Sequence, residues 1–169
     1  ALVVGVAAAL YVVACWRRWP DAVRDLDQCW WAARILRAGG DPYALIGPGR
    51  PWPSKYVWPY PLPAAVVLWP FAARSLLVAR VAVVSVGAAL LAYGATRDGW
   101  WRLWLFASGP AVFAAWSAQW SFLLAAGLVV APAAAAWAVK PNIGAALFVA
   151  RPSRAAAIGI ALLLAASFA

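Results

Sequence analysis

Apolar residues come in long charge-free runs along this chain, at 1–16, 56–73, 81–96, 103–139 and 155–169, with short polar stretches between them. None of the runs alternates strictly, so they read as helices rather than strands of a barrel. A membrane span needs roughly 20 predominantly apolar residues. The run 103–139 is too long for one crossing at about 1.5 Å per residue, and its polar interruption at Ser117-Ala118-Gln119 predicts a break into two segments. The pattern predicts an all-α, polytopic transmembrane helical bundle forming a single membrane domain over 1–169, truncated at both ends. Residues 1–15 are its first span, 16–63 a loop, and 64–169 further membrane helices.

The loop carries its own helix. Pro20-Asp21 opens it and Gly39-Gly40 closes it, since Gly accepts the left-handed conformation at a helix end. Between them Ala22, Leu26, Cys29, Trp30, Ala33 and Leu36 recur at helical spacing, with Arg24, Asp27, Gln28, Arg34 and Arg37 largely on other faces. This predicts an amphipathic interfacial helix over 21–38. Residues 41–63 are proline-rich and irregular, with Tyr43, Trp52, Tyr56, Trp58 and Tyr60 placed to line a groove or sit at headgroup level.

Composition supports a membrane setting. Only 11% of residues are charged, against about 25% in a soluble domain. The net charge of +9 is scattered between apolar runs, a pattern that fits membrane lipids and lipid phosphates and not nucleic acid. The positive-inside rule would draw 16–58, with its seven bases, to the cytoplasm. A phosphate site among those bases would release that constraint.

Chemistry concentrates in the loop. Four of the five acids, Asp21, Asp25, Asp27 and Asp41, lie there, and the chain has no His and no Glu. Asp25 or Asp27 can serve as a general base toward a hydroxyl; the alternative is a solvated pair held by Arg24 or Arg34. On a helix these two carboxylates point about 200° apart, so they do not converge on one metal ion, and no metal or other cofactor is implied. Arg34 suits a phosphate, whereas Arg37 reads as a headgroup contact. Lys140 is alone between 103 and 150. It either reaches an interface, the reading favoured here, or pairs with an anion. Gln119 fits a helix break better than a substrate contact.

Four segments together resemble one family. Asp25-Leu26-Asp27-Gln28-Cys29-Trp30-Trp31-Ala32-Ala33-Arg34, running on to Gly39-Gly40-Asp41-Pro42-Tyr43, resembles the first extracytoplasmic loop of glycosyltransferase family 87. Tyr60-Pro61-Leu62-Pro63, Ser117-Ala118-Gln119-Trp120 and Ala138-Val139-Lys140-Pro141-Asn142 resemble its later Tyr-Pro, Gly-Gln and Lys-Pro steps, in order. The resemblance implies a GT-C-like fold in a bacterial plasma membrane, with the loop extracytoplasmic. It implies transfer of a mannose-like sugar, with inversion, from a polyprenyl-phosphate donor to a lipid or glycan acceptor. Asp25 matches the catalytic base. Arg34, Asp41, Tyr43, Gln119 and Lys140 are the implied substrate contacts. Two other readings compete: a transporter or lipid-handling protein with a midplane site at broken helices, and a structural membrane subunit.

Overall fold

A computed structural model describes residues 1–168, apart from the side chain of Pro53. The fold is all-α. Among the described residues its only strands are two-residue pieces, Ile46–Gly47 and Trp52–Pro53, paired in parallel.

Helix α1 (Leu2–Arg18) and helix α5 (Leu76–Ala95) form the longest pairing in the molecule. Gly5 faces Ala89 and Ser85, while Arg80 lies over the ring of Trp16, so the two run antiparallel. Small residues at the first crossing let the backbones approach closely. Arg17 and Arg18 occupy the last turn of α1, where cations complement the helix dipole. Among the described residues one helix is long and apolar enough to cross a membrane, α5 with its 3₁₀ extension, Leu76–Asp98, at a mean hydropathy of 2.1. Helix α1 has 17 residues, a length of about 25 Å.

Helix α2 (Asp25–Arg37) packs against α5 and helix α4 (Leu62–Leu68). The predicted 21–38 is therefore four residues shorter at its start: Asp21 is exposed and the helix begins at Asp25. Its end is where Gly39 requires it. Gly39 has φ 76°, Gly40 N–H donates to Ile35 O at 2.9 Å, and Gly39 N–H donates to Leu36 O at 2.9 Å, a Schellman closure. Leu26, Asp27, Cys29, Trp30, Ala32, Ala33 and Ile35 are all buried. The helix packs into the protein along more of its surface than the amphipathic pattern implied. Trp30 fixes it further, donating its indole N–H to Phe71 O at 3.1 Å. Helix α3 (Pro42–Leu45) is a single turn.

The run 103–139 breaks where predicted, and then again. Helix α6 (Gly109–Trp116) ends before Ser117 and helix α7 (Ser121–Ala126) starts after Trp120. A 3₁₀ run, Ala131–Val139, follows in place of a second long span, and another, Trp100–Ala107, precedes α6. Helix α8 (Pro141–Ala150) and helix α9 (Arg154–Ala166) complete the fold. The first turn of α8 presses on the end of the 3₁₀ run. A Cβ on Gly144 would stand 2.1 Å from the Trp137 carbonyl oxygen. That contact sets where Lys140, at the junction, can point.

Candidate active site

Asp25 and Asp27 occupy the first and third positions of α2, so their side chains leave the helix on nearly opposite sides. Both carboxylates also sit favourably near the positive end of the helix dipole. The same spacing that rules out a shared ion sends them to different partners.

Asp27 is buried and its carboxylate is fully engaged. Arg80 on α5 grips it with two donors, Nε to Oδ1 at 2.8 Å and Nη2 to Oδ2 at 2.5 Å. The Arg24 backbone N–H donates to Oδ2 at 2.7 Å, capping α2. Arg80 also donates to Ala22 O at 3.1 Å. Side-chain exposure is 4% for Arg80 and 3% for Asp27, so the pair is a true interior ion pair. Breaking such a pair on one side costs about 3–5 kcal/mol. Asp27, a candidate base by sequence, therefore stands apart from the exposed chemistry and anchors α2 to α5. The guanidinium of neither Arg24 nor Arg34 is its partner. Arg80 was not among the sequence candidates, although it is the lone charge of the otherwise apolar α5, which calls for an anion.

Asp25 is the accessible carboxylate, with its side chain 27% exposed. Lys140 Nζ donates to Oδ2 at 2.8 Å and the Tyr60 hydroxyl donates to Oδ1 at 2.5 Å. The ammonium lies 5.3 Å from the centroid of the Tyr60 ring. Lys140 thus takes the anion and not the interface favoured above. Each carboxylate oxygen still has a lone pair to offer, because a carboxylate presents about four acceptor sites. Tyr60 comes from the end of the proline-rich loop and is 9% exposed. Burial, and then the hydrogen bond to Asp25, push its phenol well above the ordinary tyrosine value. It stays a donor throughout the neutral range.

The backbone under Asp25 is fixed by the break between α6 and α7. Ala118 has φ 48°, Gln119 N–H donates to Ala114 O at 2.9 Å, and Ala118 N–H donates to Ala115 O at 3.2 Å. This is again a Schellman closure, with Ala in the position that favours Gly. The turn frees the Ser117 carbonyl, which accepts the Asp25 N–H at 3.1 Å. Cys29, one turn along α2 and fully buried, floors the site between the indoles of Trp58 and Trp120. Burial holds its thiol far above the ordinary cysteine value, so it remains a neutral thiol.

The remaining sequence candidates are dispersed. Tyr43 supports Tyr60 by donating its hydroxyl to the Tyr60 carbonyl at 3.0 Å. Asp41 caps α3, accepting the Tyr43 N–H at 2.8 Å. Gln119 accepts from Ser121 Oγ–H at 3.0 Å beside the helix break. Arg34 is exposed and stacks over the Trp30 ring at 4.8 Å; nine residues from Asp25, it leaves α2 on the other side. An apolar groove of about 340 Å³ opens next to the site, walled by Pro61, Trp137, Pro141, Gly144, Phe148 and Ile160. Pro61 and Pro141 directly follow Tyr60 and Lys140, so the groove and the ion pair share a wall.

No family model, no curated protein and no solved structure matches this chain.

Proposed function

We propose that the protein is an integral membrane glycosyltransferase of GT-C-like, polytopic architecture, moving a sugar from a polyprenyl-phosphate donor to an acceptor hydroxyl. The observation that carries this reading is the Asp25 carboxylate. It is partly exposed, it is oriented by Tyr60 and Lys140, and the prolines that follow those two partners, Pro61 and Pro141, line an apolar groove. A transferase using a lipid-linked donor needs that combination: a base at the edge of a lipid-accommodating surface.

In the proposed reaction Asp25 accepts the proton of the acceptor hydroxyl as its oxygen attacks the anomeric carbon. The bond from that carbon to the phosphate oxygen breaks, and its electron pair leaves with the phosphate. Attack opposite the leaving group inverts the anomeric centre. Lys140 has two tasks. It orients Asp25 before attack, and its positive charge stabilises the phosphate as it departs. Tyr60 fixes the carboxylate so that its free lone pairs face outward. The loop carrying Tyr43 and Tyr60 faces the extracytoplasmic side of the plasma membrane in this reading. Arg34 acts at the headgroup layer.

A second reading, a transporter, is favoured by one observation. The chain from 100 to 150 consists of short helices interrupted at Ser108, at 117–120, at 127–130 and at Lys140, as in proteins with discontinuous helices around a polar site.

The test uses membrane vesicles containing the protein, supplied with labelled polyprenyl-phosphate mannose, with label followed into lipid and glycan fractions. Asp25→Asn should insert normally and lose about 10²–10⁴-fold of the transfer rate, the range for removal of a general base. Equal incorporation by the two proteins would remove Asp25 from the mechanism. Solute flux that is sensitive at Gln119 and Lys140 but indifferent to Asp25→Asn would favour the transporter.

A further inference from the structure

Among the described residues one buried cation makes no ion pair. Arg24, just before α2, is 4% exposed. Among the described residues no acceptor lies within hydrogen-bond distance of its Nη1 or Nη2. Only its backbone is used, in capping Asp27. Its guanidinium sits near that of Arg80, whose charge, after burial itself, is the main influence disfavouring the Arg24 proton. Counting the cluster, Arg24 and Arg80 bring two positive charges and Asp27 one negative, which leaves one positive charge in excess. An interior charge without a counterion is costly to keep. A guanidinium with both amino groups unspent presents the planar fork that matches phosphate oxygens.

The surroundings describe a ligand. The ring of Trp116 covers the guanidinium at 4.0 Å, which contributes a cation–π contact but fills neither Nη. Trp116 is itself partly exposed and stacks against Phe113, which is 55% exposed, so it is the side chain positioned to swing away. On the same side, an apolar groove of about 310 Å³ runs between α1 and α6, lined by Val4, Tyr11, Phe106, Ala115 and Phe122. Tyr11 is also a neighbour of the Arg24 guanidinium, and Ala115 precedes Trp116. Charge and chain are thus accommodated side by side.

We propose that Arg24 is the anchor of a second, phosphate-binding site, with Trp116 as its cover, and that the bound phosphate is carried by a lipid whose chain lies in the groove between α1 and α6. This site is separate from the Asp25 carboxylate and does not depend on the transferase reading.

The experiment takes the purified protein in detergent micelles and titrates two probes, phosphatidic acid and inorganic phosphate. Bound phosphatidic acid is counted by native mass spectrometry, and both probes are followed by thermal midpoint. The wild-type protein should retain one phosphatidic acid per chain and should melt higher as either effective probe is added. Arg24→Gln should weaken that binding at least tenfold and abolish the ligand-induced rise. Its ligand-free midpoint should be no lower than wild type, because the uncompensated charge is gone. Arg24→Lys, which keeps the charge without the fork, should bind with intermediate affinity and serves as the folded comparison should Arg24→Gln not fold. Arg74→Gln, at an exposed arginine, should bind like wild type. Saturable binding of phosphatidic acid but not of inorganic phosphate identifies the lipid, and binding of both identifies the phosphate group alone as sufficient. Neither probe binding the wild type, or Arg24→Gln or Arg24→Lys binding as tightly as wild type, overturns the proposal.

Discussion

Tyr60 holds its proton under two influences that act in the same direction. Its ring is buried, which disfavours a phenolate, and its oxygen stands 2.5 Å from a carboxylate oxygen, which would become a contact between two anions. Both raise the folded-state value above the unfolded value of about 10. The sign follows from linkage. The folded protein binds this proton more tightly than the unfolded chain, so Tyr60 leaves stability unchanged below about pH 10 and lowers it as pH rises beyond that point. Thermal midpoints measured from pH 9 to 11 should therefore fall more steeply for wild type than for Tyr60→Phe. The comparison cancels the contribution of Cys29, whose buried thiol is raised as well and acts in both proteins. Parallel slopes would show that Tyr60 titrates alike in folded and unfolded chains. At this scale the sequence was partly readable. The scarcity of carboxylates pointed to Asp25 and Asp27 alike, the resemblance alone singled out Asp25, and the spacing of the two on one helix predicted that they diverge. That Tyr60 is the donor to Asp25 was not readable, since the two are 35 residues apart and meet only through the packing of the loop.

The element boundaries separate two kinds of signal. Gly39-Gly40 announced the end of α2, because a positive φ at a helix end is ordinary for Gly. The end of α6 uses the same hydrogen-bond pattern with Ala118, which no propensity would nominate. The polar Ser117 and Gln119 on either side marked it instead. The 3₁₀ runs Trp100–Ala107 and Ala131–Val139 were not legible. Their residues are those of ordinary apolar helices, and runs of this type beyond three or four residues are uncommon. The junction of the second run with α8 matters most, because Lys140 sits on it. Gly144→Ala would place a methyl group against the Trp137 carbonyl, where only backbone movement can relieve the clash. Overpacking of this kind costs about 1–3 kcal/mol, and the shift should drag Lys140 away from Asp25. Gly109→Ala, at the start of α6 with nothing within 4 Å of the new methyl, should be neutral or stabilising by up to about 1 kcal/mol. Thermal midpoints in detergent for the two variants check the contrast, and equal midpoints would mean that the α8 junction yields without cost.

Across the whole molecule, three of the ties that hold α2 in place reach widely separated parts of the chain. Asp27 joins it to Arg80 on α5, Trp30 to the Phe71 carbonyl after α4, and Asp25 to Lys140 at the start of α8, 115 residues away. The first is interior and structural. The last is half-screened, with exposures of 20% for Lys140 and 27% for Asp25, and Lys140 directly precedes Pro141, which lines the groove. A charge-assisted hydrogen bond in such a setting is worth about 1.5–3 kcal/mol, less whatever solvent screens. A double-mutant cycle with Asp25→Asn, Lys140→Met and the double variant isolates the coupling from each substitution's separate effects. Stability should show a coupling of about 1–2 kcal/mol, within the range for residues that share an ion pair. Transfer activity should behave differently. If Lys140 acts on the departing phosphate as well as on Asp25, Lys140→Met should lower the rate in the Asp25→Asn background too, whereas a lysine that only orients the carboxylate has nothing left to orient once Asp25 is gone. An additive stability cycle would deny that the pair is coupled at all. A residual rate in Asp25→Asn that is indifferent to Lys140→Met would confine Lys140 to holding the base.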